Sequence, residues 1–265
     1  GPYVHIGGDE VPKDRWRACE SCQAVIRREG LKDEEELQRW MVDSIGRFLA
    51  ARGKRLIGWN EIMHGGRLQD GTMVQSWESA EWTTRAATAG YDVIASPNEF
   101  VYLNHHPGEL SLTRVYGFEP VPPGLDSAAA RRVRGSEAPF WSEHILSRQN
   151  LELLAWPRLL AFSEVLWSSA PRDTADFLRR AREDHVPRLV ASGVQVGPED
   201  RDLLRFALGF DAAVSVARIE YVAASDRLVV RATRDGSAPT ASSPTLASGA
   251  LLREPGTYRL QAFVD

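Results

Sequence analysis

Asp9 and Glu10 are adjacent carboxylates in "HIGGDE", directly behind the glycine pair Gly7 and Gly8. Two carboxylates within a few ångströms cannot both ionise freely, so one holds a proton near neutral pH while the other stays charged. That division suits an acid catalyst beside an electrostatic partner. Cleavage of a glycosidic bond needs such a pair, one group to protonate the leaving oxygen and one to support the cationic sugar ring. Neighbours on a strand point to opposite faces, and a Gly-Gly turn relaxes that constraint, letting both acids address one substrate. Alone, an Asp-Glu pair more often opens a helix or sits in a solvated turn.

The elements that would carry this pair alternate strand and helix. Tyr3 to Ile6 reads as a short buried strand ended by Gly7 and Gly8. Asp33 and Glu36 form a capping box ahead of a helix with Leu37, Trp40, Met41, Ile45, Phe48 and Leu49 at helical spacing, stopped by Gly53. "KRLIGWNE" is a second strand ending in Trp59 and Glu61, so a parallel crossover is implied. "TMVQSWES" ends a third at Trp77, Ala80 to Ala89 reads as helix, "DVIASPNEFVYLN" delivers Tyr102 and Asn104, and "SEAPFWSE" makes a fifth tip at Trp141 and Glu143. A helical region from Asn150 to Trp167 is interrupted at Pro157, which lacks an amide donor. Another helix, containing Phe177, Leu178 and Leu189, leads to Gly193. Five tips of one kind, each aromatic or acidic, point to a (β/α)8 TIM barrel with its reactive groups at the C-terminal face, of which five of the eight units are present.

Beyond Pro198 the texture changes. "RLVVRA" and "TYRLQAFV" alternate apolar and polar residues around the turn-rich "DGSAPTASSP", which predicts a small antiparallel β module. The predicted organisation is a partial barrel over residues 1–197, a linker or short helix over 198–215, and a β-sandwich-like module over 216–265.

The 265 residues, 43% hydrophobic and 26% charged, are enough for a real core. A net charge of −4 offers no basic stripe for nucleic acid, and the longest apolar runs fall short of a membrane span of ~20 residues. Lys13, Lys32 and Lys54 stand against 29 arginines, a bias expected of a GC-rich genome. Cys19 and Cys22 form one C-x-x-C without a second ligand pair, which reads as a local disulfide or two free thiols in a loop rather than zinc. The adjacent His105 and His106 diverge and have no acidic partner at ligand spacing, so no metal is expected there. His5, inside an apolar strand, reads as a hydrogen-bonded structural histidine, and Glu164 in "SEVLW" as half of a buried salt bridge. Trp16, Trp40, Trp82, Trp156 and Trp167 read as packing residues. The first residues already read as an interior strand, so the natural start of the gene is expected upstream, and the absence of a visible leader does not fix the compartment.

"HIGGDE", "GWNE", "SWES", "VYLN" and "FWSE", in this order, resemble the family-20 glycoside hydrolases, the β-N-acetylhexosaminidases, from the fourth barrel strand onward, over Tyr3 to Gly193. The tail resembles the immunoglobulin-like module that follows some bacterial members. The resemblance implies a retaining mechanism in which the substrate's own acetamido oxygen is the nucleophile. It assigns Glu10 as general acid and then base, Asp9 to the acetamido N–H, and the Tyr102 hydroxyl to the acetamido oxygen. It makes Trp59, Trp77 and Trp141 pocket walls and gives Glu143 the C4 and C6 hydroxyls. Asn104 stands where many members carry aspartate, keeping hydrogen-bonding capacity without the charge. Glu61 and Glu78 fall behind the site or on its rim.

The expected function is release of terminal β-linked N-acetylglucosamine or N-acetylgalactosamine from oligosaccharides or glycoconjugates, with no cofactor, no metal and no nucleic-acid partner. The resemblance fits a secreted or cell-envelope protein of a bacterium. One rival is a catalytically silent carbohydrate-binding or scaffold fragment, since five barrel units expose two strand edges. Another is a metal-dependent hydrolase using Asp9, Glu10 and histidines.

Overall fold

The computed structural model describes residues 1–199, 204–223 and 227–264, with His144 through its backbone only. Two compact units emerge, one from Gly1–Glu99 with Glu119–Glu137, the other from Phe100–Phe118 with Ala138–Asp265.

In the first unit β1 (Tyr3–His5), β2 (Arg55–Trp59), β3 (Met73–Ser76), β4 (Asp92–Ala95) and β5 (Val133–Ser136) form one parallel sheet in chain order. Val4 lies opposite Leu56, Gly58 opposite Val74, and Val93 opposite Val133. Strict chain order means that each crossover steps the same way, as in a barrel wall; a doubly wound sheet reverses direction. The expected five-strand run is present, with shifts at its last two tips. The strand of "DVIASPNEFVYLN" ends at Ala95 and the chain turns through the short helix Asn98–Val101, so Tyr102 and Asn104 follow that helix. Pro97 explains the early end, because proline supplies no N–H to a ladder.

The helix Glu34–Ala50 links β1 to β2, and Ala80–Thr88 links β3 to β4. The Asp33 carboxylate caps the longer helix by accepting the Glu36 N–H at 2.9 Å. The return arm of the expected capping box goes elsewhere: the Glu36 carboxylate accepts the Lys32 N–H at 2.9 Å. The buried stripe of this helix is Leu37, Gln38, Val42, Gly46 and Leu49. Met41 and Phe48, which the helical spacing places with this stripe, are instead 45% and 55% exposed. Arg52 covers Phe48 instead, its guanidinium 3.6 Å from the ring centre. Val42 and Leu49 join Leu56, Ile62, Val74, Val93 and Tyr91 in the core, where each buried branched aliphatic contributes about 1.5–3 kcal/mol.

The second unit holds the helices Leu112–Tyr116, Arg148–Ala155, Arg158–Trp167, Thr174–Arg180 and Val186–Ala191. The helical region breaks at Pro157 as expected. Glu164 has the predicted salt bridge, to Arg180. Trp167, assigned to packing, is instead exposed at the helix end.

The antiparallel strands of this unit are β6 (Leu204–Asp211), β7 (Val216–Ala223), β8 (Leu228–Thr233), β9 (Ala250–Leu252) and β10 (Arg259–Val264), in sheets ordered β6-β7-β9 and β8-β10. Of the predicted linker, residues 200–203 lie outside the described residues, and Leu204–Asp211 is strand. It pairs along its whole length with β7, from Leu204 opposite Ala223 to Asp211 opposite Val216. Its polarity disguises it: Phe206, Leu208 and Phe210 face outward while Ala207 is buried against Leu153, Leu154 and Val222.

Candidate active site

Asp9 and Glu10 lie past the end of β1, both exposed, so strand alternation does not govern them. Gly7 and Gly8 take φ of 73° and 101°, values that favour glycine. A Cβ on Gly8 would stand 2.5 Å from Ile62 Cγ2. Glu10 itself has φ 49°, a left-handed conformation that an ordinary residue keeps only when its surroundings enforce it.

The surroundings are on either side of it. The Gly8 carbonyl accepts the Gln38 side-chain amide at 2.7 Å, and Gln38 Oε1 in turn accepts the Lys13 ammonium. Lys13 also donates to the Val11 carbonyl at 2.9 Å. The Glu10 N–H donates to Glu61 Oε1 at 3.3 Å. The turn is thus tied on both sides to buried polar groups of neighbouring elements.

Glu61 belongs to the 3-10 turn Asn60–Met63 that follows β2, and is 9% exposed. Its second oxygen accepts the Trp77 indole N–H at 2.9 Å. Burial pushes the Glu61 carboxyl above the ordinary range, against the pull of the Trp77 hydrogen bond. Its neighbour Asn60 is fully buried and accepts the Trp77 backbone N–H at 2.9 Å, while its amide donates to Glu78. Trp59 closes β2, half-buried, with the His5 ring edge-on at 5.1 Å. His5 Nδ1 accepts the Gly7 N–H at 3.1 Å, the structural role expected of it.

The first unit therefore joins the Glu10 backbone and the Trp77 indole through Glu61, and ties Trp59 to the same turn through its N–H, which donates to the Gly7 carbonyl at 3.0 Å. The tip of β5 in this unit is Glu137, which accepts the Gln75 amide at 3.0 Å; Trp141 and Glu143, expected at this tip, lie beyond the end of the strand.

In the second unit Tyr102 is buried, 6.1 Å between ring centres from both Trp141 and His105. Trp141 keeps over a third of its surface exposed, and Glu143 is exposed in the 3-10 turn Ser142–His144. Asn104 Oδ1 is buried without a hydrogen-bond partner. It lines a cavity of about 630 Å³ with His105, His106, Glu109 and Asn150. The loop is pinned from below by Arg158, 1% exposed, whose guanidinium donates to the carbonyls of Leu103 at 2.6 Å and of His105 and Leu110 at 3.0 Å.

Sequence reasoning missed Gln38 and Arg158 and left Glu61 unassigned. Gln38 had a signal, a polar side chain on the helix stripe that faces the sheet. Arg158 had none, since its partners are carbonyls, which every residue carries.

Two exposed carboxylates on a fixed turn can between them deliver a proton and hold a charge. Among the described residues no group of three or more His, Cys, Asp or Glu side chains assembles as a metal-ligand set. No helix among them is long and apolar enough to cross a membrane.

Residues 1–170 match the family model described as glycosyl hydrolase family 20, catalytic domain. The chain is 41% identical over 193 residues to a β-hexosaminidase of Porphyromonas gingivalis, covering 68% of this chain and 25% of that protein. It is 29% identical over 202 residues to the human β-hexosaminidase subunit beta, covering 74% of this chain and 36% of that one. Among solved structures it is similar to a GH20 exo-β-N-acetylglucosaminidase of Vibrio harveyi in complex with N-acetylglucosamine, with TM-score 0.67, 32% identity, and coverage of 74% and 33%. The chain spans about a quarter to two-fifths of the length of these relatives.

Proposed function

Because the chain belongs to glycosyl hydrolase family 20, whose catalytic domain it matches over residues 1–170, we propose that it is part of a glycosidase that removes terminal β-linked N-acetylglucosamine or N-acetylgalactosamine. The sheet β1 to β5 supplies the fourth to eighth strands of the family's barrel, and the antiparallel strands of the second unit form an immunoglobulin-like module. The observation that carries the reading is the enforced left-handed turn at Glu10, tied through Glu61 to Trp77. A carboxylate presented that way is held for a task rather than left to solvent.

In the proposed reaction Glu10 gives its proton to the glycosidic oxygen as the bond to the anomeric carbon breaks. The substrate's 2-acetamido oxygen attacks that carbon and forms an oxazolinium ring, so no side chain acts as nucleophile. Asp9 accepts the acetamido N–H and steadies the positive charge. Glu10, now a carboxylate, takes a proton from the water that reopens the ring, and the configuration is retained. We assign the Tyr102 hydroxyl to the acetamido oxygen, Trp59, Trp77 and Trp141 to apolar contact with sugar C–H groups, and Glu143 and Asn104 to ring hydroxyls. Substrates are oligosaccharides or glycoconjugates ending in N-acetylhexosamine, which fits a secreted or cell-envelope protein.

The test is hydrolysis of an aryl N-acetyl-β-glucosaminide by the longest form that the gene encodes. Glu10→Gln is expected to lower turnover by about 10²–10⁴-fold, the usual worth of a general acid. Native-level activity in that variant would remove Glu10 from the role. Asp9→Asn is expected to depress kcat far more than it raises KM, since its contact strengthens as charge develops.

A further inference from the structure

Cys19 and Cys22 take no part in the sugar chemistry, and they do not sit in a loop. Cys19 is the N-cap of the ten-residue helix Glu20–Glu29, with extended backbone at φ −89° and ψ 112°. Its Sγ accepts the Cys22 N–H at 3.3 Å. Both are free and partly exposed. No third ligating side chain joins them among the described residues, so the four ligands of a structural zinc are not assembled.

Two free thiols one helical turn apart and partly open to solvent, the first accepting the backbone N–H of the second, are placed for dithiol chemistry. The Cys22 N–H donated to Cys19 Sγ, at the helix N-cap, also distinguishes them. The Cys22 thiol and then the Cys22 N–H hold Cys19 below the ordinary thiol range, with the Glu20 carboxylate opposing, while the bond to Cys19 pushes Cys22 up. Position at a helix N-terminus favours negative charge on the first sulfur.

We propose that Cys19 and Cys22 form a redox-active pair that reacts with low-molecular-weight disulfides, Cys19 attacking and Cys22 resolving. In the first step the Cys19 thiolate displaces one sulfur of RS–SR, forming a Cys19–SR bond and releasing RS⁻. In the second, Cys22 loses its proton to solvent and attacks Cys19 Sγ, forming the Cys19–Cys22 bond and releasing the other RS⁻. The net change is two protein thiols oxidised and one disulfide reduced to two thiols.

The test exposes the 265-residue chain to glutathione disulfide and reads the products by peptide mass mapping. The expected product is an intramolecular Cys19–Cys22 disulfide, reversed by a dithiol reductant. Cys22→Ser is expected to stop at one glutathionyl group on Cys19. Cys19→Ser, in which serine still caps the helix, leaves Cys22 reacting about tenfold or more slowly. Circular dichroism of both variants checks that the helix is kept. A pair that stays reduced, collects two glutathionyl groups, or reacts faster through Cys22 would overturn the proposal. None of these readouts depends on glycosidase activity.

Discussion

The Trp77 indole N–H donates to Glu61 Oε2 at 2.9 Å, and through the same carboxylate the indole is linked to the Glu10 backbone. Burial raises the Glu61 carboxyl above its ordinary value. A raised carboxyl favours the protonated fold, so its contribution to stability is complete below the unfolded value and is lost as pH rises through the folded one. Glutamine has one acceptor oxygen for two N–H donors and does not titrate. Glu61→Gln is therefore expected to lower unfolding free energy by about 1–3 kcal/mol at acid pH, and to flatten the decline of stability as pH rises above about 4. Urea titrations of both proteins across that range check it; parallel curves would show that Glu61 is not the titrating group.

Gly8 is fixed by space as well as by conformation. At φ 101° a Cβ would stand 2.5 Å from Ile62 Cγ2, and Ile62 is fully buried in the core and has nowhere to move. Gly8→Ala is expected to cost about 2–4 kcal/mol, seen as a lower urea midpoint. It should also reduce turnover, because Asp9 and Glu10 are carried on the displaced backbone. A variant as stable as the parent would mean that the turn has slack.

What the sequence made legible follows from what repeats in it. The strand and helix alternation of the first unit could be read because period and caps agree, as at Asp33, whose side chain does cap its helix. The acids, Trp59 and Trp77 could be placed because strands end next to them. Tyr102, Trp141 and Glu143 were placed less well, since each follows a turn or short helix that carries no period. β6 escaped because its large apolar residues face outward and a small alanine faces in. The supports of the site were least legible. Glu61 and Arg158 act on backbone groups, whose positions depend on the fold and not on residue type.

Arg158 donates to the carbonyls of Leu103, His105 and Leu110, with no carboxylate paired to it among the described residues, and burial pulls its guanidinium down to about 9, still charged at neutral pH. Arg158→Met would leave the loop between Tyr102 and Leu110 without these donors, at an expected cost of about 3–5 kcal/mol. Lysine carries three donors on a point charge and cannot reproduce the planar fork, so Arg158→Lys should recover only part of the loss. Thermal unfolding of the three proteins decides it, and a lysine variant equal to the parent would contradict the geometric argument.

The Glu164 carboxylate is held by both terminal nitrogens of Arg180 at 2.7 Å and by the Tyr116 hydroxyl at 3.1 Å, while Arg180 Nε reaches Asp176 at 2.7 Å. The hydrogen bonds from Arg180, then that from Tyr116, keep the Glu164 carboxyl below its ordinary value. Here the sign is opposite to that at Glu61: stability is complete above the unfolded value and lost as pH falls through the folded one. Removing the guanidinium should therefore matter at neutral pH and cease to matter in acid. Arg180→Met is expected to lower the urea midpoint clearly above about pH 5, with the gap to the parent narrowing as pH falls below about 4. A gap that is constant across this range would mean that Arg180 stabilises through its packing and not through the charge it places on Glu164.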